Sequence, residues 1–235
     1  MKKIIFTIIA ATLVLCGCSK SKQFKVALSL DNAENKSVYL CKTVDGEMLC
    51  IDSAVIENKQ AVFYADVDDP QMLYTIKYNL NDNCGVFTFF SENNDMTISG
   101  DFNSMQLWKI SGCRTMEELV AHHEKCMELY ENKMLDLYAN MENAYMANDT
   151  VQAAEIDTVL KSLMKDYYNY QAEFIRSHSD SYLAHYLLDS FKQDFDIEVV
   201  KELAAGLTNE SVFRNNVKKY IEEYQPGRAP SCCGM

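Results

Sequence analysis

The residues of this chain whose type and spacing could do chemistry are its cysteines and one set of metal-ligand types on a helix. Nine cysteines occur in 235 residues. Cys41 and Cys50 flank Asp45-Gly46, a strong signal for a two-residue hairpin turn. Such a turn pairs Val44 with Glu47, Thr43 with Met48, Lys42 with Leu49 and Cys41 with Cys50. It also sets Leu40 opposite Ile51 on the other face. Cys41 and Cys50 then occupy a non-hydrogen-bonded site, where Cα atoms lie ~4.5 Å apart, inside the ~4.4–6.8 Å that a disulfide spans. The expectation is a cross-strand disulfide. A three-residue loop would shift the register and leave two half-buried thiols instead.

Glu118, His122 and Cys126 follow one another at i, i+4 and therefore share a helix face. Zinc needs three or four ligands, and no further partner of comparable quality is evident. The face is read as solvated, and no metal site is assigned. Cys232 and Cys233 are adjacent, so a bridge between them would be strained, and two ligands do not close a metal site. His178 and His185 stand singly near expected helix ends. No His-Glu-x-x-His, Walker, dinucleotide-binding, nucleophile-elbow or Cys-x-x-Cys pattern occurs. No catalytic residue and no cofactor is therefore assigned.

The N-terminus has three zones. Met1-Lys2-Lys3 is a positive n-region, and Ile4 to Leu15 is an almost unbroken apolar run, short for a membrane span. Leu15-Cys16-Gly17-Cys18 follows and resembles a lipobox, with Gly17 as the small residue before the modified cysteine. Cys16 fits that role poorly, because bulky Leu15 would occupy its cleavage position. The expectation is a signal peptide over residues 1–17, with Cys18 carrying the lipid anchor. Acyl chains at ~0.8 kcal/mol per buried methylene suffice for stable anchoring when two or more are present. Residues 18–23 form a polar tether with no acidic residue, which favours a periplasm-facing, membrane-anchored domain. With Cys16 removed and Cys18 lipidated, an odd number of cysteines remains. Losing Lys2 and Lys3 makes the net charge of −12 more negative by two. That field repels nucleic acid and anionic headgroups, so neither is an expected partner.

The elements that must position these residues divide into two halves. Residues 24–112 carry short runs of period two: Phe24 to Leu30, Val38 to Lys42, Met48 to Ile56, Ala61 to Ala65, Leu73 to Tyr78, Val86 to Phe90, Met96 to Ser99 and Gln106 to Ser111. Their close spacing predicts an antiparallel β-sandwich or barrel. Residues 113–224 change to helical period. One stripe runs through Met116, Leu119, Val120, His123, Met127, Tyr130, Met134, Leu137, Tyr138, Met141 and Tyr145. A second runs through Ile156, Leu160, Leu163, Tyr167, Tyr170 and Phe174, after a break capped by Asp149 with Gln152 three residues on. These two predict a long helical hairpin. Shorter helices are expected over 181–191, from about Asp194 to Gly206, and after an Asn209 cap through Val212, Phe213, Val217, Tyr220 and Ile221. Residues 225–235 are expected to be a disordered tail. The fold class is α+β.

Val38-Tyr39-Leu40, Ile51-Asp52-Ser53-Ala54-Val55-Ile56, Pro70, Phe89-Phe90-Ser91-Glu92 and Met96-Thr97-Ile98-Ser99-Gly100-Asp101 together resemble a domain of unknown function. That domain stands at the N-terminus of many Bacteroidota lipoproteins, ahead of a thioredoxin-like domain of the alkyl-hydroperoxide-reductase/thiol-specific-antioxidant type. Ser181-Tyr182-Leu183-Ala184-His185-Tyr186-Leu187-Leu188 resembles the helix before that second domain. Where members usually have Asp-Gly-Lys-Phe, this chain has Asn58-Lys59-Gln60-Ala61. Gln225 to Pro230 resembles the entry to the redox domain, which is expected to be missing here. The thiol–disulfide chemistry that the resemblance implies is therefore carried over to no residue.

The expected function is a lipid-anchored, non-catalytic binding or scaffolding module of the cell envelope. Its expected partners are the membrane through the anchor and another protein or a second copy. The rival expectation is a participant in periplasmic thiol–disulfide redox, as a split or truncated oxidoreductase.

Overall fold

The structure is a computed structural model that describes residues 23–44, 47–66, 73–80, 83–92 and 94–225. The leader with Cys18, the Asp45-Gly46 turn, Pro70, and the tail from Pro226 with Cys232 and Cys233 lie outside the described residues.

Strands come first, and their alternation decides which side each residue takes. Along β1 (Gln23–Asp31), Phe24, Val26, Leu28 and Leu30 are all buried, while Gln23, Ser29 and Asp31 are exposed. β2 (Ser37–Val44), β3 (Glu47–Val55), β4 (Gln60–Asp66), β5 (Leu73–Leu80), β6 (Asn83–Phe90), β7 (Asp95–Asp101) and β8 (Lys109–Ser111) follow. They form two four-stranded sheets, ordered β4-β1-β7-β8 and β3-β2-β5-β6. Phe24, Val26, Leu28, Leu40, Phe63, Tyr74, Ile76, Phe89, Met96 and Ile98 fill the space between them. The outcome is an open sandwich, so the barrel alternative is wrong.

Three local features depart from the sequence reading. β1 and β7 are parallel, with Val26 opposite Met96 and Leu28 opposite Ile98. Alternation alone does not distinguish parallel from antiparallel neighbours when one face is buried. The stretch Gln106 to Ser111 is only partly strand. A 3-10 turn at Met105–Leu107 precedes β8 and swings Trp108 inward, where its Nε1 donates to the Asp101 carbonyl at 2.7 Å. β3 is expected to bury alternate residues, yet only Ala54 in it is even half-buried. It is the edge strand of its sheet, paired there with β2.

Between β3 and β4 the chain turns through Asn58 and Lys59, both with positive φ (51° and 66°). The Glu34 carboxylate accepts both backbone N–H groups of this turn. A lysine therefore holds a left-handed position that glycine fills most cheaply.

Helices fill the remainder. α1 (Arg114–Cys126) runs through a π-helical turn at Met127–Glu131 into α2 (Asn132–Met146). α3 (Thr150–Ser177) returns antiparallel to α2, and Asp149 Oδ1 accepts from Gln152 N at 2.9 Å as the capping pattern predicts. α4 (Tyr182–Phe191), α5 (Ile197–Gly206) and α6 (Val212–Glu223) complete the chain. α5 starts after Asp196, later than expected, and the cap of α6 is Ser211, whose Oγ accepts from Arg214 N. Asn209 instead donates to the Asp180 carbonyl and ties the α5–α6 connection to the end of α3.

The two halves share packed surface. Phe90 at the end of β6 meets Tyr186 of α4 and Phe213 of α6 edge-on, at 5.4 and 5.9 Å between ring centroids. Helices therefore cover the β6/β8 side of the sandwich. A second core of Ile175, Leu183, Leu187, Leu188, Val200, Leu203 and Val217 joins α3 to α4, α5 and α6. The distal stretch of α2 and α3 has a much thinner core, in which only Ala144, Ala153, Ile156 and Leu160 are buried. It is a two-helix arm.

Candidate functional site

The disulfide between Cys41 and Cys50 is present, with Cα atoms 3.8 Å apart. Val44 pairs with Glu47, Thr43 with Met48 and Lys42 with Leu49, as the turn requires. Beyond the bridge the register slips by one. Leu40 faces Asp52, not Ile51, because Ile51 is the extra residue of a β-bulge. Ile51 is exposed as a result, and Leu40 keeps its buried place. Turn chemistry fixes only the pairs nearest the turn; a bulge has no comparable signal in this strand.

Glu118, His122 and Cys126 do share a face, but it is not solvated. His122 and Cys126 are buried, and Glu118 accepts from Ser181 Oγ at 2.6 Å and from Arg114 Nε at 2.8 Å. The covering residue is Gln171 of α3. His122 Nε2 lies 2.8 Å from Gln171 Oε1 and 3.5 Å from Cys126 Sγ, and Gln171 Nε2 donates to that sulfur at 3.3 Å. Tyr170 stacks on the imidazole at 5.5 Å, with Phe174 at 4.3 Å. This network is consistent with an imidazole that carries its proton on Nε2 and gives it to Gln171. Nδ1 is then a bare acceptor, and it has no partner.

Electrostatics make the network quiet. Burial holds the His122 imidazole below its ordinary value of 6.5, against the Gln171 bond that favours the charged form. Burial likewise raises the Cys126 thiol, which stays protonated. Cys113, the second buried free thiol among the described residues, is pushed up to about 12, chiefly by burial. It precedes α1, and beside it Glu92 accepts the first backbone N–H groups of that helix, Arg114 at 3.0 Å and Thr115 at 2.6 Å. His185 is buried inside α4, bonded to Ser211 Oγ at 2.8 Å, and is also held below 6.5 by burial. His178 is exposed at the end of α3, stacked on Phe174. Among the described residues no group of three or more His, Cys, Asp or Glu is placed to hold a metal ion. Gln171 and Glu92 were not identified from sequence. Gln171 does continue the inward line of buried Leu160 and half-buried Tyr167 at helical spacing, which is a usable signal; Glu92 caps a helix from a distant segment and leaves none.

The exposed side of α3 is different. Met164, Tyr168 and Ala172 line a groove of about 490 Å³, walled opposite by Phe195 and Val199 and flanked by Lys161, Lys165 and Arg176. Tyr168 donates to Asp194 Oδ1 at 3.3 Å. Its hydroxyl is raised by burial, then by Asp194, with a smaller contribution from Tyr138 of α2. Leu135, Tyr138, Tyr145 and Met146 on α2 are all exposed. Apolar side chains are thus exposed along α2 as well as in the groove.

An open β-sandwich capped at one side by helices, with a protruding two-helix arm, defines an α+β protein whose exposed features suit binding. Residues 24–119 match a family described as a domain of unknown function, DUF4369. That stretch spans the sandwich and the opening turns of α1. Neither a curated protein nor a solved structure matches the chain.

Proposed function

We propose that this protein is a lipid-anchored, non-catalytic binding or scaffolding module of the cell envelope, held by Cys18 and facing the periplasm. The observation that carries the binding part is the contrast between its interior and its surface. The described free thiols, Cys113 and Cys126, are buried and protonated, and the His122–Cys126 pair is locked by Gln171. Apolar and aromatic groups are available on the arm and in the Tyr168–Phe195 groove, as they are on the β2–β3 hairpin, but only the groove is concave. Concave apolar surface with a few polar groups is the ordinary form of a binding site. The three-zone leader and Gly17-Cys18 support the anchoring part. No helix among the described residues is long and apolar enough to cross a membrane.

Metabolic labelling with an alkyne fatty acid tests the anchor. The full chain should take the label and sediment with membranes, and Cys18→Ala should lose both properties. A photo-reactive residue in place of Phe195 tests the groove: in living cells it should give a discrete adduct. A labelled Cys18→Ala chain would sink the anchoring reading, and a groove that captures nothing would sink the binding reading.

A further inference from the structure

The Cys41–Cys50 bridge joins an inner strand to an edge strand, and its two sulfurs stand in different surroundings. Cys41 lies on β2, between β3 and β5, and is fully buried. Opposite it on β5 is Thr75, also buried, whose hydroxyl meets that of Thr88 at 3.2 Å. Cys50 lies on β3 and is exposed. Among the described residues no strand borders the far side of β3. A thiolate breaks a disulfide by attacking one sulfur in line with the bond, from the side opposite the departing sulfur, so access to that side decides which sulfur reacts. Here the bridge crosses from β2 to β3. Its extension past Cys41 runs over β5 and the buried Thr75, whereas its extension past Cys50 runs off the edge of the sheet. Access and trajectory select the same sulfur, that of Cys50.

The backbone there is open as well. Val44 and Glu47 close the turn as a hydrogen-bonded pair, so Cys41 and Cys50 form a non-hydrogen-bonded one, in which the N–H and C=O of Cys50 point away from β2. A protein that lays an extended segment along this edge can bond both groups while its thiol reaches the sulfur. What the bridge holds is limited. β2 stays paired with β5 from Val38 to Lys42, whereas in β3 only Ala54 is half-buried. Opening the bridge loosens the turn end of β3 and leaves Val38 and Leu40 in the core. We propose that Cys41–Cys50 is a thiol–disulfide exchange site, entered at Cys50 by a dithiol reductant, which releases the turn end of the β2–β3 hairpin while the sandwich stays folded. In the first step the attacking thiolate bonds to Cys50 Sγ and the Cys41–Cys50 bond breaks. Its electron pair leaves on Cys41 Sγ, which takes a proton from water. In the second step the other thiolate of the reductant attacks the reductant's own sulfur in the mixed disulfide. Cys50 departs as a thiolate and is protonated in turn. The reductant ends as a disulfide, and the chain holds two thiols. This inference goes beyond the binding reading and does not depend on it.

Reduced glutathione, added to the native full chain and quenched early with acid, tests the point of entry. After denaturation, alkylation of free thiols and peptide mapping, the glutathione adduct should sit on Cys50 and the alkyl group on Cys41, by about tenfold or more over the reverse. Dithiothreitol tests the route. Reduction through the native edge should change less than about twofold in rate across urea concentrations below the unfolding transition, whereas reduction that waits for unfolding speeds up by roughly tenfold or more per molar. The reduced chain should keep its far-ultraviolet circular dichroism. Its amide exchange should quicken from Met48 to Ile51, while β1 and β7 keep their protection. Adducts on Cys41, or spread evenly over both cysteines, overturn the inference, as does a reduction rate that climbs steeply with urea. So does a reduced chain whose sandwich loses protection throughout. Failure of the groove probe at Phe195 would sink the binding reading and leave the exchange site untouched.

Discussion

His122 and His185 are both buried, and each has one ring nitrogen bonded and the other bare: Nδ1 in His122, Nε2 in His185. A second proton on His122 would have no acceptor, and at His185 burial outweighs a backbone bond to Ser179 that favours the charged form. The folded chain therefore takes up protons there only below the ordinary value of 6.5, while the unfolded chain takes them up at that value. Where the unfolded state binds more protons, stability rises with pH. The contribution of these two groups is thus complete above about pH 6.5 and is lost as pH falls below it, through the lower values of the folded chain. The thermal midpoint should drop between about pH 7.5 and 5.5, before most carboxylates titrate. His185→Gln should make that drop shallower, and an unchanged slope would refute the assignment. Which histidines are buried was not legible in the sequence. The apolar stripe placed His123 and Val120 inward, yet both are exposed, and His122 takes the inner position. The cause is the π-turn after Cys126. It carries an extra residue within the helix, so a stripe drawn as one continuous helix through α1 and α2 is out of step on one side of it.

At the scale of elements, the β2–β3 hairpin shows both what a sequence exposes and what it hides. The Cys41–Cys50 pairing follows from the spacing about Asp45-Gly46, and it is correct. The bulge at Ile51 is invisible, because β3 buries almost nothing and so has no pattern to slip against. That poverty of packing gives the bridge its value. The hairpin end carries Val44, Met48 and Leu49 exposed, and little but β2 holds β3 in place. Closing a loop this short in the unfolded chain removes about 2–3 kcal/mol of its conformational freedom. Cys50→Ser should lower unfolding free energy by about that amount in urea titrations. Wild-type midpoints that coincide with and without reductant would argue against it. Helix caps divide the same way. Asp149 caps α3 from its immediate neighbourhood and is legible. Glu92, acting on α1 across 22 residues, is legible only in three dimensions.

In the whole molecule, that carboxylate stands at the joint between sandwich and helices. It accepts the opening N–H groups of α1 just beyond the end of β6, where Phe90 meets Tyr186 and Phe213. A negative group at a helix N-terminus satisfies orphan donors and the macrodipole together. Glu92→Ala should cost about 1–2 kcal/mol, and Glu92→Gln should recover part of it. Calorimetry should show one transition in the wild type, since the two halves share this surface. A sandwich and a helical part that melt separately in the wild type would show that the joint does not couple them. The α+β architecture itself was legible, because the change from period two to helical period near Cys113 is abrupt. The helical arm was legible as a hairpin, but its wide second apolar face was not; partly apolar arcs on α2 read simply as core. The π-turn at Met127–Glu131 ties these levels together. It amounts to one residue inserted into an otherwise regular helix, the size of a single codon. One residue turns a helix by roughly 100°. The clock position of Leu135 and Tyr138 relative to the buried His122 is therefore set by that one insertion. Were the same residues wound as regular α-helix throughout, Leu135 and Tyr138 would sit roughly 100° further round from His122, out of line with the side they now share.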